Sequence, residues 1–168
     1  MIRKFLKMVV PAVVLAGCAS YTWTSSIPVE MRTISVPTFR NESKVTELGN
    51  VVARQILREV QREGTFRIGS ADDAVLEIQG VVKSAEASHL GSDRSTGQRN
   101  SIQSFSVQVV VSVIDHKNGK VLMDNRVYEA SVPFGTSGDL MTGMRNASGR
   151  VAEEIAARVM DDVLALKF

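Results

Sequence analysis

The chain has 168 residues, 23% of them charged and 5% aromatic, with a formal net charge of +2 and one cysteine. A single cysteine rules out an intramolecular disulfide, and so few aromatic side chains argue against a platform for stacked bases. Arg3, Lys4 and Lys7 place three positive charges in the first 17 residues, so a chain starting at Cys18 has 151 residues and a charge of −1. That suits one domain with a sizeable core and leaves no basic excess for nucleic acid.

The chain opens with a short basic segment free of acids, followed by an apolar run of ten residues from Met8 to Gly17, interrupted by Pro11. A membrane-spanning helix needs about 20 residues, so the run fits the central region of a secretory signal. It ends in Leu15-Ala16-Gly17-Cys18, which resembles the bacterial lipobox. The resemblance implies cleavage between Gly17 and Cys18, a diacylglyceryl group on the Cys18 sulfur and an acyl group on its amine. Two or more acyl chains meet the requirement for stable anchoring, since each buried methylene contributes about 0.8 kcal/mol. Ala19 follows the cysteine. The aspartate that retains enteric lipoproteins in the inner membrane is absent there, which points to the outer membrane.

Three regions are expected: a signal peptide over residues 1–17, a lipidated N-terminus and tether over 18–30, and a single α+β domain over 31–168. Ile34 and Val36 share one face of a first strand from Met31 to Pro37. Phe39 to Ser43 reads as a turn, with Ser43 as helix N-cap. Leu48, Val52, Ile56 and Val60 recur every four residues, predicting an amphipathic helix over 44–63 that stops at Gly64. Phe66 and Ile68 suggest a short extended piece. Asp72 and Asp73 read as solvated turn residues rather than a catalytic pair.

Ala74, Leu76, Ile78 and Val82 then predict a second strand over about 74–83. Residues 84–103 are polar and read either as a long loop, functional or disordered, or as an extension of the flanking strands into a long hairpin. The valines at 107, 109, 111 and 113 alternate with polar residues in the clearest strand of the chain. Asn118-Gly119 predicts a two-residue hairpin turn, and Val121 to Ser131 returns as the fourth strand. Met144, Ala147, Val151, Ile155, Val159 and Val163 mark a last helix over 140–166. The expected architecture is a two-layer sandwich in the order βαβββα, two helices covering one face of a four-stranded mixed sheet.

The sequence contains no glycine-rich phosphate loop, nucleophile elbow or paired metal-ligand motif. His89 and His116 are the only histidines, and neither has a ligand-type partner at a useful spacing. With Cys18 consumed by lipid, no thiol is left for catalysis, so neither an enzyme nor a cofactor beyond the covalent lipid is expected. One polar cluster suggests binding. Lys117 and Lys120 flank the hairpin turn, and Arg94 and Arg99 lie in the 84–103 segment. If that segment reaches the same sheet end, four cations gather in a site suited to phosphates on a lipid head. The plainer reading is a solubilising turn.

Several stretches together resemble the LptE family of lipopolysaccharide-assembly lipoproteins. After the lipobox come Tyr21 and Ser25-Ser26-Ile27-Pro28, then the run from Met31 to Asn41 containing Thr-Ile-Ser-Val-Pro-Thr-Phe. The run from Ala71 to Gly80 contains Ala-Val-Leu-Glu-Ile-Gln-Gly, and Asp115 and Gly119-Lys120-Val121-Leu122 complete the likeness. It covers nearly all of the chain after Cys18. The resemblance implies a lipid-anchored outer-membrane protein that plugs the lumen of the LptD β-barrel, helps it assemble and assists lipopolysaccharide insertion. It also implies direct lipopolysaccharide binding through basic residues on a loop at one end of the sheet. A competing reading is a periplasmic lipoprotein that activates a cell-wall synthase. Only about a dozen residues separate Cys18 from the first strand, a reach of about 40 Å at 3.3–3.6 Å per residue, which favours work close to the membrane.

Overall fold

The computed structural model describes residues 27–93, 100–136 and 139–167; the expected signal segment and Cys18 lie outside them. A 3₁₀ turn, Val29–Met31, leads into β1 (Thr33–Ser35) and β2 (Arg40–Asn41). Helix α1 (Leu48–Glu63) and β3 (Arg67–Ile68) follow, then the long strands β4 (Leu76–Asp93), β5 (Asn100–Asp115) and β6 (Lys120–Thr136), and helix α2 (Leu140–Leu164).

The strands form one sheet in the order β3-β1-β4-β5-β6, with β2 also paired to β4. Pairings of β1 and β2 are parallel, and β4-β5-β6 is an antiparallel meander. The α+β class, the two helices and the mixed sheet agree with the expectation; the sheet has six strands rather than four. The first strand, expected over Met31 to Pro37, is divided. After Ser35 the chain leaves the sheet to bury Phe39 and rejoins it as β2. The Phe66 to Ile68 piece is a strand in its own right, Arg67 pairing with Thr33 and Ile68 with Ile34.

Alternation decides which face is covered. Leu76, Ile78 and Val82 of β4 are fully buried, as are Phe105, Val107, Val109, Val111 and Val113 of β5, because successive strand residues point to opposite faces. Against them pack Leu48, Val52, Ile56 and Val60 of α1 and Val151, Ile155, Val159 and Val163 of α2. Fully burying each such aliphatic side chain contributes roughly 1.5–3 kcal/mol. On the other face β5 carries Ser104, Ser106, Gln108 and Ser112, all partly exposed.

Two turns depart from expectation for local reasons. Ser43 does not cap α1. Its backbone N–H and hydroxyl donate to Asn41 Oδ1 at 3.0 and 2.7 Å, and Asn41 Nδ2 donates to Val45 O at 2.8 Å. Those bonds hold the segment as a loop, and the helix starts only after Glu47, whose φ of 65° reverses the chain. Its end is as expected: Gly64 has φ 69° and donates to Val60 O. The β5–β6 connection has four residues rather than two, since Asp115 pairs with Lys120. Positive φ is needed only at Gly119 within it, because the Asp115 carboxylate, rather than a tight two-residue turn, organises the chain.

Candidate functional site

Three surfaces carry the polar groups: the β5–β6 turn, the open sheet face, and the hairpin end where β4 meets β5. At the turn, Asp115 is 1% exposed. Its carboxylate accepts from the backbone N–H of Lys117 at 2.9 Å and of Asn118 at 3.1 Å, and from Asn118 Nδ2 at 2.6 Å. Three donors satisfy the buried charge, which would otherwise be costly. The turn so fixed leaves the side chains of Lys117 and Lys120 exposed. Both line a cavity of about 270 Å³ together with Glu30, Met31 and Leu122. Glu30 is an acid in that lining, so it is not a purely cationic pocket.

This is also where the N-terminal segment enters. Ile27 is buried, and the Arg32 guanidinium donates twice to Ile27 O at 3.2 Å. His116 Nε2 lies 2.6 Å from Glu77 Oε2, tying the turn to the first residues of β4.

The open face holds a shallow groove of about 360 Å³, edged by Arg40, Gln79, Val81 and Asn125. Glu42 links its rim, accepting from Arg40 at 2.6 Å and from Lys83 at 3.0 Å. Those cations, Lys83 first, hold the Glu42 carboxyl below the usual carboxylate range. Glu77 also accepts from Gln79 Nε2 at 2.8 Å. Farther along, the hydroxyls of Ser104 and Ser106 meet Ser131 Oγ at 2.5 and 3.0 Å. Val121 and Val127 are exposed among these polar groups. This mosaic of hydroxyls, amides, paired charges and scattered valines suits recognition of another surface. Among the described residues no group of three His, Cys, Asp or Glu stands close enough to hold a metal ion.

The candidate cations divide between the two ends. Arg94 and Arg99 lie outside the described residues, as do Gly17 and Cys18. Their neighbours Asp93 and Asn100 end β4 and begin β5, whereas Lys117 follows the end of β5. Fifteen steps along β5 at about 3.4 Å each separate the two ends by about 50 Å. Residues 84–93 and 100–103, expected either as loop or as hairpin, are the hairpin: β4 and β5 stay paired from Leu76↔Asp115 to Asp93↔Asn100, with register shifts at Val82/Ser84 and His89/Gly91. His89 sits on that ribbon, its Nδ1 3.3 Å from Gln103 Nε2.

Sequence reasoning named Asp115 only within the family resemblance and passed over Asp139. Asp115 opens the run Asp-His-Lys-Asn-Gly, a pattern in which an aspartate side chain commonly caps the following turn. Asp139 immediately precedes α2, and its carboxylate accepts from Met141 N at 3.3 Å and Thr142 N at 2.9 Å.

A family described as LptE, lipopolysaccharide-assembly, matches residues 31–166. No curated protein sequence matches the chain. A crystal structure of a Xanthomonas campestris protein is 10% identical, with 83% of this chain and 89% of that one covered at a TM-score of 0.50. A PelC dodecamer from Paraburkholderia phytofirmans is 19% identical over 78% and 87%, at 0.47. A minor lipoprotein from Acinetobacter baumannii is 12% identical over 81% and 96%, at 0.47. At 10% identity the likeness to the Xanthomonas campestris protein concerns fold alone.

Proposed function

The chain belongs to the LptE lipopolysaccharide-assembly family, and from that premise we propose that it is a non-enzymatic outer-membrane lipoprotein that plugs the LptD β-barrel, aids its assembly and assists lipopolysaccharide insertion into the outer leaflet. The observation that carries this reading is the family match across residues 31–166, which takes in every β-strand and α-helix among the described residues. The surface chemistry supports it. A barrel lumen is polar and wet, and a domain seated there needs a soluble surface of mixed charge, such as the open sheet face with its serines and its Arg40–Glu42–Lys83 network. No helix among the described residues is long and apolar enough to cross a membrane; in this reading attachment is by the lipid on Cys18.

Lys117 and Lys120 at the β5–β6 turn, and Arg94 and Arg99 by the β4–β5 hairpin, are the groups proposed to meet the phosphates of lipopolysaccharide. They act as two separate pairs. The test of the main reading is affinity purification of the full chain from detergent-extracted membranes of its native host, with mass spectrometry of what accompanies it. A large outer-membrane barrel in near-equal amount is the expected result. Recovery of a cell-wall synthase, or of no barrel, overturns the plug reading. The same preparation tests the anchor: the N-terminal peptide is expected to start at Cys18 with acyl mass attached, and Cys18→Ala to abolish that mass.

A further inference from the structure

The sheet has two outer edges, and they are finished differently. Along β6 the edge is sealed by α2. Arg158 Nη1 donates to Glu129 O and Arg150 Nη2 to Pro133 O, each at 2.7 Å. Pro133 has no N–H to offer, and the irregularity at Asn125, with φ 45°, turns the strand. These are devices by which native sheets prevent an edge from pairing with another chain.

The edge of β4 is irregular at Val82/Ser84 and again at His89/Gly91, but between those two shifts it carries none of these devices. β1 covers it at Leu76 and Glu77, and β2 at Val81 and Val82, ending with the Glu42 N–H bonded to Val82 O at 2.9 Å. From Ser84 to Ser88 β4 pairs with β5 on one side, and no hydrogen bond among the described residues closes the other. The segment reads Ser-Ala-Glu-Ala-Ser. It has no proline or lysine, no register shift falls within it, and four of its five side chains are small. Every second residue of such a strand turns an N–H and a C=O outward, which is a template for an added strand.

We infer that Ser84–Ser88 is a docking edge for an extended segment of the barrel partner, one that carries a basic residue opposite Glu86; the inference rests on the plug reading. The wall of a closed barrel has its backbone groups already paired, so the added strand comes from a part of that protein outside the wall. A second copy of this chain fits worse. Full antiparallel overlap of the five residues with themselves places Glu86 directly against Glu86, and like charges so placed are destabilising.

The test uses the full chain extracted from native membranes with its barrel. Amide hydrogen exchange at residues 84–88 is compared between that complex and the protein purified alone, and a photo-crosslinking residue is placed at Ser88 or, as a control, at the sealed edge residue Glu129. Slowing of at least tenfold at residues 84–88, with an adduct to the barrel from Ser88 and not from Glu129, is the expected result. Glu86→Lys, checked for an unchanged melting profile, is expected to weaken barrel retention about tenfold. Equal exchange rates in a preparation that does contain the barrel overturn this inference and leave the plug reading standing. So does a Ser88 adduct with the mass of two copies of this chain. Absence of the barrel removes both.

Discussion

Phe39 fills a place that a strand side chain would otherwise occupy. It is 2% exposed, and a Cβ added to Gly80 would run into its ring atoms Cε2, Cδ2 and Cζ. The core face of β4 thus reads Leu76, Ile78, Gly80, Val82, with the aromatic ring from the β1–β2 connection covering the glycine. Gly49 plays the matching part on α1, where an added Cβ would overlap Phe39 O. Phe39→Ala is expected to cost roughly 3–5 kcal/mol, as for other buried aromatics. Gly80→Ala, by overpacking, should cost about 1–3 kcal/mol. Because the two act on one contact, Gly80→Ala should cost clearly less when Phe39 is already alanine. Urea unfolding of the four chains measures this, and strictly additive losses would deny the contact. The apolar alternation of β4 was legible in the sequence, but this contact was not. An isolated glycine inside a strand does signal close approach of another group, yet nothing local says which one arrives, because Phe39 comes from 41 residues away.

The Tyr128 hydroxyl is a second residue whose worth depends on distant partners. It donates to Asp162 Oδ2 at 2.6 Å, and the same oxygen lies 3.1 Å from Arg126 Nε, so β6 and α2 are tied through one carboxylate. Burial, then the hydrogen bond to Asp162 and its charge, push the Tyr128 hydroxyl well above the ordinary tyrosine range. A raised folded-state pKa means that the native state holds the proton more tightly than the unfolded chain. The resulting stability is fully present below about pH 10 and is lost as the pH climbs toward the folded value. Tyr128→Phe should therefore cost about 1 kcal/mol near neutral pH and flatten the alkaline loss of stability above pH 10. A melting series from pH 7 to 11 in both proteins shows whether the steep alkaline limb belongs to this tyrosine.

At the scale of elements, α2 is the longest helix and begins on a cap that its own sequence supplies. Asp139 takes hydrogen bonds from Met141 N and from both the backbone N–H and the hydroxyl of Thr142. Those bonds, the Thr142 backbone bond foremost, hold the Asp139 carboxyl below its ordinary range. A lowered folded pKa contributes stability above the unfolded carboxyl value and loses it as the pH falls through the folded one. Asp139→Ala should thus lower the melting temperature by a constant amount near neutrality, and the gap should close below about pH 4. Amide exchange at Met141 and Thr142 should quicken first. A gap that stays constant down to pH 2 would place the cause elsewhere.

The helices were readable because each has an uninterrupted apolar stripe over several turns. The far halves of β4 and β5 were not readable as a single state. Phe105 and Phe134 are buried there, their rings meeting edge to face at 6.3 Å, but the β4 side of the ribbon lacks such apolar anchors. Glu86, Ser88, His89 and Leu90 are exposed in turn, so the two-residue period that marks a half-buried strand fades into polar sequence. The short strand β2 was illegible, and β3 was legible only as a short extended piece at Phe66 and Ile68, for another reason. Two residues are too few to display any period, and their pairing is set by the chain on either side.

For the whole molecule, the length of β5 governs how charge is distributed. It carries the chain from the hairpin beside Arg94 and Arg99 to the turn that bears Lys117 and Lys120, about 50 Å away. That distance exceeds the roughly 8 Å screening length at physiological ionic strength several times over. The two ends of β5 therefore neither share one phosphate nor sense each other electrostatically, and we propose each cation pair as a site of its own. Their contributions to lipopolysaccharide binding should multiply as independent factors, because sites far apart without common partners add in free energy. The sequence revealed the four cations but not the length of the ribbon between the two ends, which hangs on whether residues 84–103 fold back or run on as strands. The experiment compares Lys117→Ala with Lys120→Ala, Arg94→Ala with Arg99→Ala, and all four together, on immobilised lipopolysaccharide at low and physiological salt. If both pairs bind, the fourfold variant should lose affinity by the product of the two double-variant factors, and each factor should shrink as salt rises. A pair whose removal changes nothing at low salt is only solubilising its turn. A combined loss far from the product would mean that the two ends meet through the bound molecule, a single ligand reaching along the sheet.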